Sequence, residues 1–365
     1  MRILLLAGEE SGVLYARQIA GRLTGHEIRG FADYGFRTED LAVMGVDEVL
    51  RSIFFLLKVK RTMERAIDDW RPDVVCTVDY PGMNMKLAAY AKARGIRTVH
   101  VVCPQVWAWK AGRIPKIERT FDRLCCFFPF EPGLFRPGFA TFVGHPLVEA
   151  FEGLKGPERP EVSKGLVLAL LPGSRIGEVE KHLPVMLETL RSLDLPANLR
   201  VEIPAANDRV YAAITRIVSD KSFFISHGGA RELLLRADCA VVASGTATLE
   251  AALARCPTVL VYKASPLFAF IARRVIRGIR FVGLANLVWD KSLSARGETP
   301  PVGEAPMPEL LQENFTVANL QRELKPLLTD EGFRRKMRDR LTCAVDLLKC
   351  EENDAIGRIA EAILS

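Results

Sequence analysis

The chain has no long apolar run. Its apolar segments at 3–7, 166–171 and 259–261 fall far short of the roughly 20 residues a membrane-spanning helix needs, so no bilayer crossing is expected. Metal-binding spacing is missing as well. The five histidines, His26, His100, His145, His182 and His227, form no H-E-x-x-H pattern. The eight cysteines include the adjacent pair Cys125 and Cys126 but no C-x-x-C, which argues against a zinc knuckle or a disulfide framework and for a reduced, cytoplasmic chain. No D-x-D pair stands ready to hold a cation on a diphosphate, so no metal is expected. Neither a G-x-x-x-x-G-K-[ST] loop nor a G-x-G-x-x-G fingerprint occurs, which removes support for kinase-type and dinucleotide chemistry. The start, MRILLLAGEE, meets Glu9 and Glu10 where a leader would need small residues; it reads as a first strand.

What is present points to a sizeable α/β protein. With 365 residues, 49% of them hydrophobic, the chain exceeds one typical domain and two are expected. Its formal net charge of +6 favours an anionic partner, which could be nucleic acid, anionic lipid or a phosphorylated substrate. Runs rich in Val, Ile and Leu alternate with segments of helical period, the pattern of βαβ units and parallel sheets. Strands are predicted at 3–6, 74–78, 98–102 and 124–128, and a second series starts at Leu166, Arg200, Phe223, Ala240 and Thr258. Between the series, GLKGPERPEVSKG at 153–165 has linker composition. The expected division is a first domain at 1–152, a second at 166–345, and a closing helix at 346–365 with Leu347, Leu348, Ile356, Ile359, Ile363 and Leu364 as its apolar positions.

The two halves open alike, with ILLLAGEESG at the front and LVLALLPGSRIGEV after the linker. Each reads as strand, small-residue turn, helix. Two Rossmann-like, doubly wound domains facing a cleft would bind ligands outside the carboxyl ends of their strands. In VVASGTATLE at 241–250, Ser244, Gly245 and Thr246 interrupt an apolar strand. A helix starting there would offer unpaired N–H groups to a phosphate, with Gly245 permitting close approach, although Ser244 or Thr246 as a simple cap reads first on position alone. LPGSR adds Gly173, Ser174 and the guanidinium fork of Arg175 after another strand. Together the two turns suggest a nucleotide diphosphate.

In the first half, Asp79 ends the apolar strand of PDVVCTVDYPGMN, where it could take a proton from a hydroxyl nucleophile or cap the next helix. Glu9, Ser11 and Gly12 follow the first strand and either bind substrate or shape the turn. The stretch RSIFFLLKVKR at 51–61 sets Phe54, Phe55, Leu56 and Leu57 among Arg51, Lys58, Lys60 and Arg61. Such a basic-flanked apolar patch suits an anionic membrane surface; a core helix with snorkelling lysines is the competing reading. FAFIARRVIRGIRF at 268–281 is similar in character.

Taken together, AGEESG (7–12), LAVMG (41–45), VDYPGMN (78–84), VWAWK (106–110), PFE (129–131), FVGHPL (142–147), LLPGSR (170–175), ASGTATLE (243–250) and ELLQE (309–313) resemble the lipid-A-disaccharide synthase family almost end to end. That resemblance implies a GT-B fold and an inverting transfer of 2,3-diacylglucosamine from its UDP derivative to the 6-hydroxyl of 2,3-diacylglucosamine 1-phosphate (lipid X). It further implies Asp79 as the family's essential Asp, the base on the acceptor hydroxyl. Arg175, Asn286, Asn84, Gln312 and a ribose-holding Glu250 would contact substrate, with no cofactor beyond the UDP-sugar substrate and no nucleic acid. The expected location is the cytoplasmic face of the inner membrane, held peripherally. Departures from the family pattern are Val13 in place of Asp, a shortened 29–40 segment, LANL around Asn286 and an extra stretch at 289–306. A UDP-sugar 2-epimerase of the same fold and a membrane-docked nucleotide-sugar-binding protein are the alternatives.

Overall fold

The computed structural model describes residues 1–8, 10–36, 49–108, 111–154, 165–219, 222–264, 279–350 and 353–365. The chain divides into two compact units, Met1–Glu149 with Cys350–Ser365, and Ala150–Lys349. The division falls inside the Pro146–Glu152 helix, and the final helix, Ala355–Leu364, belongs to the first unit.

The first unit holds six strands: β1 (Arg2–Ala7), β2 (Glu27–Arg29), β3 (Val74–Val78), β4 (Arg97–Val101), β5 (Arg123–Cys126) and β6 (Ala140–Phe142). They form one sheet in the order β2-β1-β3-β4-β5-β6, every pairing parallel. Each face of the sheet is covered by helices, so the central strands are buried on both sides and carry no polar alternation. On one face Ile3, Leu5, Ala7 and Val78 pack with Ile19 and Leu23 of the Glu10–Arg22 helix and with Ile359 and Ile363 of the closing helix. On the other face Leu4, Leu6 and Val75 meet Val59, Met63 and Ile67 of the Val49–Trp70 helix and Leu87 of the Pro81–Lys92 helix. Alternate residues of one strand thus serve opposite layers, as the pleat requires.

The second unit repeats the plan with β7 (Val167–Leu171), β8 (Arg200–Ala205), β9 (Phe224–His227), β10 (Cys239–Ala243), β11 (Thr258–Tyr262) and β12 (Glu309–Leu311). Its parallel sheet runs β12-β11-β10-β7-β8-β9. Counted within the unit this is the 3-2-1-4-5-6 order of dinucleotide-type Rossmann domains. In both sheets the chain winds to one side of its first strand and then crosses to the other. Each unit therefore has a switch point, between β1 and β3 in the first and between β7 and β10 in the second, where the connections diverge and leave a crevice beyond the strand ends. The short edge strands β2, β6 and β12 are absent from the sequence-based expectation.

Candidate active site

At the switch point of the first unit, β3 delivers Asp79 just past its last residue. The Asp79 amide donates to the Val101 carbonyl at 3.0 Å, so the backbone stays tied to β4 as it turns. Asp79 and Tyr80 both take φ of +48°, a left-handed conformation that costs a non-glycine residue about 1 kcal/mol or more. Two in succession are held by surrounding packing. The Tyr80 ring lies where a side chain on residue 8 would be, 2.4 Å from a Cβ built on Gly8, so glycine is required at the end of β1. The Asp79 carboxyl is half-buried, and desolvation raises its pKa above the usual range while the Tyr80 N–H works against that shift. A carboxylate destabilised in this way is a better proton acceptor than an exposed one.

Asn84 departs from its expected role. Its side chain is fully buried and its Nδ2 donates to the carbonyls of Leu6 and Val78, each at 3.3 Å, and of Asp79 at 2.8 Å. It staples the ends of β1 and β3 and positions Asp79; it does not present itself to a ligand. Gly12 packs against β3, a Cβ there lying 3.3 Å from the Val78 carbonyl oxygen. Ser11 lies in the first turn of the Glu10–Arg22 helix. Glu9, the LAVMG segment, Lys110 and Arg273, Arg274 and Arg277 lie outside the described residues.

At the switch point of the second unit the two glycine turns converge on one cavity of about 390 Å³. Gly173, Ser174, Arg175, Ser244, Gly245, Thr246 and Glu250 all line it. The Ile176–Arg191 and Thr246–Leu253 helices both start there, so their unpaired N–H groups supply a positive field. Gly173 and Gly245 take φ of +131° and +154°, which side-chain-bearing residues rarely adopt. A Cβ on Gly173 would also sit 2.6 Å from Glu178. Glu178 orders this turn: its carboxylate accepts from the Ser174 amide at 3.1 Å and pairs with the largely exposed Arg175 at 3.2 Å. Glu250 is held by Arg231 Nε at 2.7 Å.

Three supporting residues escape sequence reading. His182 donates from Nδ1 to the Pro172 carbonyl at 2.7 Å and accepts the Lys263 amide on Nε2 at 2.9 Å, clamping the LPGSR turn to the end of β11; burial lowers its pKa and favours the neutral ring this bonding needs. Glu309 accepts from the Val282 and Gly283 amides and from Asn286 Nδ2. Glu178 is the third, recognisable only as an acid in the first turn of a helix. Asn286, expected to contact substrate, is fully buried and has both ends of its amide engaged, with Met307 and Glu309. It fixes β12 to the Leu284–Ala295 helix. Gln312 accepts the Ala264 amide at 3.2 Å and shapes the same strand end.

The apolar run on the Val49–Trp70 helix divides between two faces. Phe55 and Leu56 pack on the core, Phe55 meeting the Phe36 ring edge-on at 6.0 Å. Phe54 and Leu57 are 72% and 44% exposed. With exposed Lys58 and Arg61 they occupy helix positions i, i+3, i+4 and i+7, one continuous stripe. Lys60 is paired with Glu64. No helix of the described residues is long and apolar enough to cross a membrane.

Comparison with known proteins gives this geometry a lineage. The family described as lipid-A-disaccharide synthetase matches residues 3–363. Lipid-A-disaccharide synthase of Chromobacterium violaceum is 34% identical, with 100% of this chain and 97% of that one covered. Among solved structures, the calicheamicin glycosyltransferase CalG4 is similar with a TM-score of 0.61 at 14% identity, covering 100% of this chain and 98% of that one. The UDP-GlcNAc 2-epimerase of Neisseria meningitidis bound to UDP-GlcNAc scores 0.61 at 12% identity, covering 100% of each. These structures share the fold, the GT-B type with two Rossmann-like domains; the sequence match is what separates transferase from epimerase. The chain belongs to the lipid-A-disaccharide synthase family, glycosyltransferases of lipid A biosynthesis.

Proposed function

We propose that this enzyme transfers 2,3-diacylglucosamine from UDP-2,3-diacylglucosamine to the 6-hydroxyl of 2,3-diacylglucosamine 1-phosphate with inversion, releasing UDP. The observation that carries this reading is the second unit's cavity, where two helix N-termini, two glycine turns and Arg175 meet. That arrangement suits a diphosphate leaving group, whose developing charge the N–H groups and the guanidinium would stabilise. Glu250 lines the same cavity and in this reading accepts from a ribose hydroxyl. Asp79 acts as the base on the acceptor hydroxyl, helped by its raised pKa. Since helix N-termini and Arg175 supply the positive field, the transfer needs no Mg²⁺ or Mn²⁺. The stripe of Phe54, Leu57, Lys58 and Arg61 docks the enzyme peripherally on an anionic membrane, at the cytoplasmic face of the inner membrane, where acylated substrates reside.

Incubating the enzyme with purified UDP-diacylglucosamine, with and without the acceptor, tests this. Disaccharide 1-phosphate and UDP should appear only when both substrates are present. UDP release or C2 epimerisation of the donor without acceptor would replace this reading with the epimerase one.

A further inference from the structure

The first unit buries a second cluster of reactive side chains that the transfer reaction does not use. Cys103 lies two residues past the end of β4, Cys126 is the last residue of β5, and Glu131 precedes the 3₁₀ turn Pro132–Leu134. They are only 4%, 0% and 2% exposed. The two sulfurs and a carboxylate oxygen lie within 4.8 Å of one another. With their protons on, the three groups are neutral and bond to one another; ionised, all three are anions, and three anions gathered out of water are stable only with a cation among them. Glu131 is not paired with a cation among the described residues; its oxygens accept from Trp107 Nε1 at 3.0 Å and the Phe128 amide at 3.1 Å, and the Cys103 thiol also bonds to it. Those bonds already orient the carboxylate, in the way outer-shell donors orient metal ligands.

We propose that Cys103, Cys126 and Glu131 form a binding site for a thiophilic divalent cation of the Zn²⁺ class. Two thiolates and one carboxylate are a ligand set for zinc, which hard cations such as Mg²⁺ avoid. Two sulfurs about 2.3 Å from one tetrahedral ion stand roughly 3.7 Å apart, a spacing compatible with ligand atoms that lie within 4.8 Å of one another. On binding, each thiol and the carboxyl surrender their protons to solvent, and the ion clips the segment after β4 to the end of β5. Backbone strain marks this segment too, as Val102, a β-branched residue, has φ of +75°.

The test uses reduced, chelator-stripped full-length protein titrated with Co²⁺ and then Zn²⁺. One equivalent of Co²⁺ should give thiolate charge-transfer absorbance that Zn²⁺ abolishes, and Zn²⁺ at a hundred times its dissociation constant should raise Tm by roughly 5 °C. Both effects should persist when the more accessible thiols are removed as Cys343→Ser with Cys350→Ser. They should vanish in Cys103→Ser and in Cys126→Ser, and Glu131→Gln should weaken Co²⁺ at least tenfold. Should either serine variant fail to fold, pulse alkylation of the wild type decides the matter: Zn²⁺ must protect Cys103 and Cys126 selectively over Cys76 and Cys239. Absence of the charge-transfer band, a band that follows Cys343 or Cys350, or no selective protection overturns the proposal.

Discussion

The two crevices come from one winding scheme and are finished in opposite ways. In the second unit the strand ends pass into glycine turns at helix N-termini, with Arg175 standing in solvent. The first unit instead forces non-glycine residues into left-handed backbone, buries an amide beneath them and partly desolvates a carboxyl. An open, donor-rich turn suits an anion that must enter and leave. A half-buried acid on a fixed backbone suits proton transfer, where position and pKa both matter. A shared doubly wound scheme thus supplies two places for chemistry, and the residue types at the strand ends decide which chemistry each can do.

Substitutions that affect one crevice and spare the other would sharpen this contrast. The largest effect should come from Asp79→Asn, which keeps the shape and removes the base. Turnover should fall by about two to four orders of magnitude while UDP binding stays within a few-fold; near-normal turnover would remove Asp79 from the mechanism. In the wild type, activity should be lost as pH drops through the Asp79 pKa, with the acid limb of kcat/KM above the ordinary carboxylate range because burial raises that pKa.

Next in size is the helix beside the first unit's sheet. Changing Phe54 and Leu57 together to Ser should release the enzyme from anionic vesicles, since each side chain contributes roughly 1.5–3 kcal/mol when fully buried in the headgroup boundary, and Tm should barely move. Phe55→Ser should do the reverse, lowering Tm through a core defect and leaving sedimentation with vesicles intact. Equal melting losses in both variants would assign the whole run to the core. A smaller effect is expected in the second crevice, where Arg175→Ala should weaken UDP by about 1.5–3 kcal/mol; calorimetry giving the wild-type affinity would free Arg175 from that role. The least effect is none at all: supplying or omitting Mg²⁺ or Mn²⁺ should not alter the transfer rate, and a requirement for either ion would mean the helix termini do not suffice.

Much of this was legible in the sequence because long buried strands are written as unbroken apolar runs. The strands β1, β3, β7 and β10 and the turns behind them follow from local pattern alone. The edge strands β2, β6 and β12 did not, being three residues long and less buried, with too little apolar content to stand out from a loop. Side-chain partners were the harder matter. An amide at a strand end looks the same whether it faces a ligand or staples carbonyls, so Asn84 and Asn286 read as contacts and are supports. Phe54 to Leu57 read as one patch because a linear run hides the helical turn that sends Phe55 and Leu56 inward. Cys103, Cys126 and Glu131 carry no motif spacing; only the parallel pairing of β4 with β5 brings them together.

The ring of Tyr80 filling the space over Gly8 ties two positions 72 residues apart into one heritable unit. Neither can drift alone, since any larger residue at 8 displaces the ring beside Asp79, and any smaller one at 80 leaves a void above β1. Variation there is epistatic, so a library randomised at position 8 would be purged to glycine unless position 80 were randomised with it.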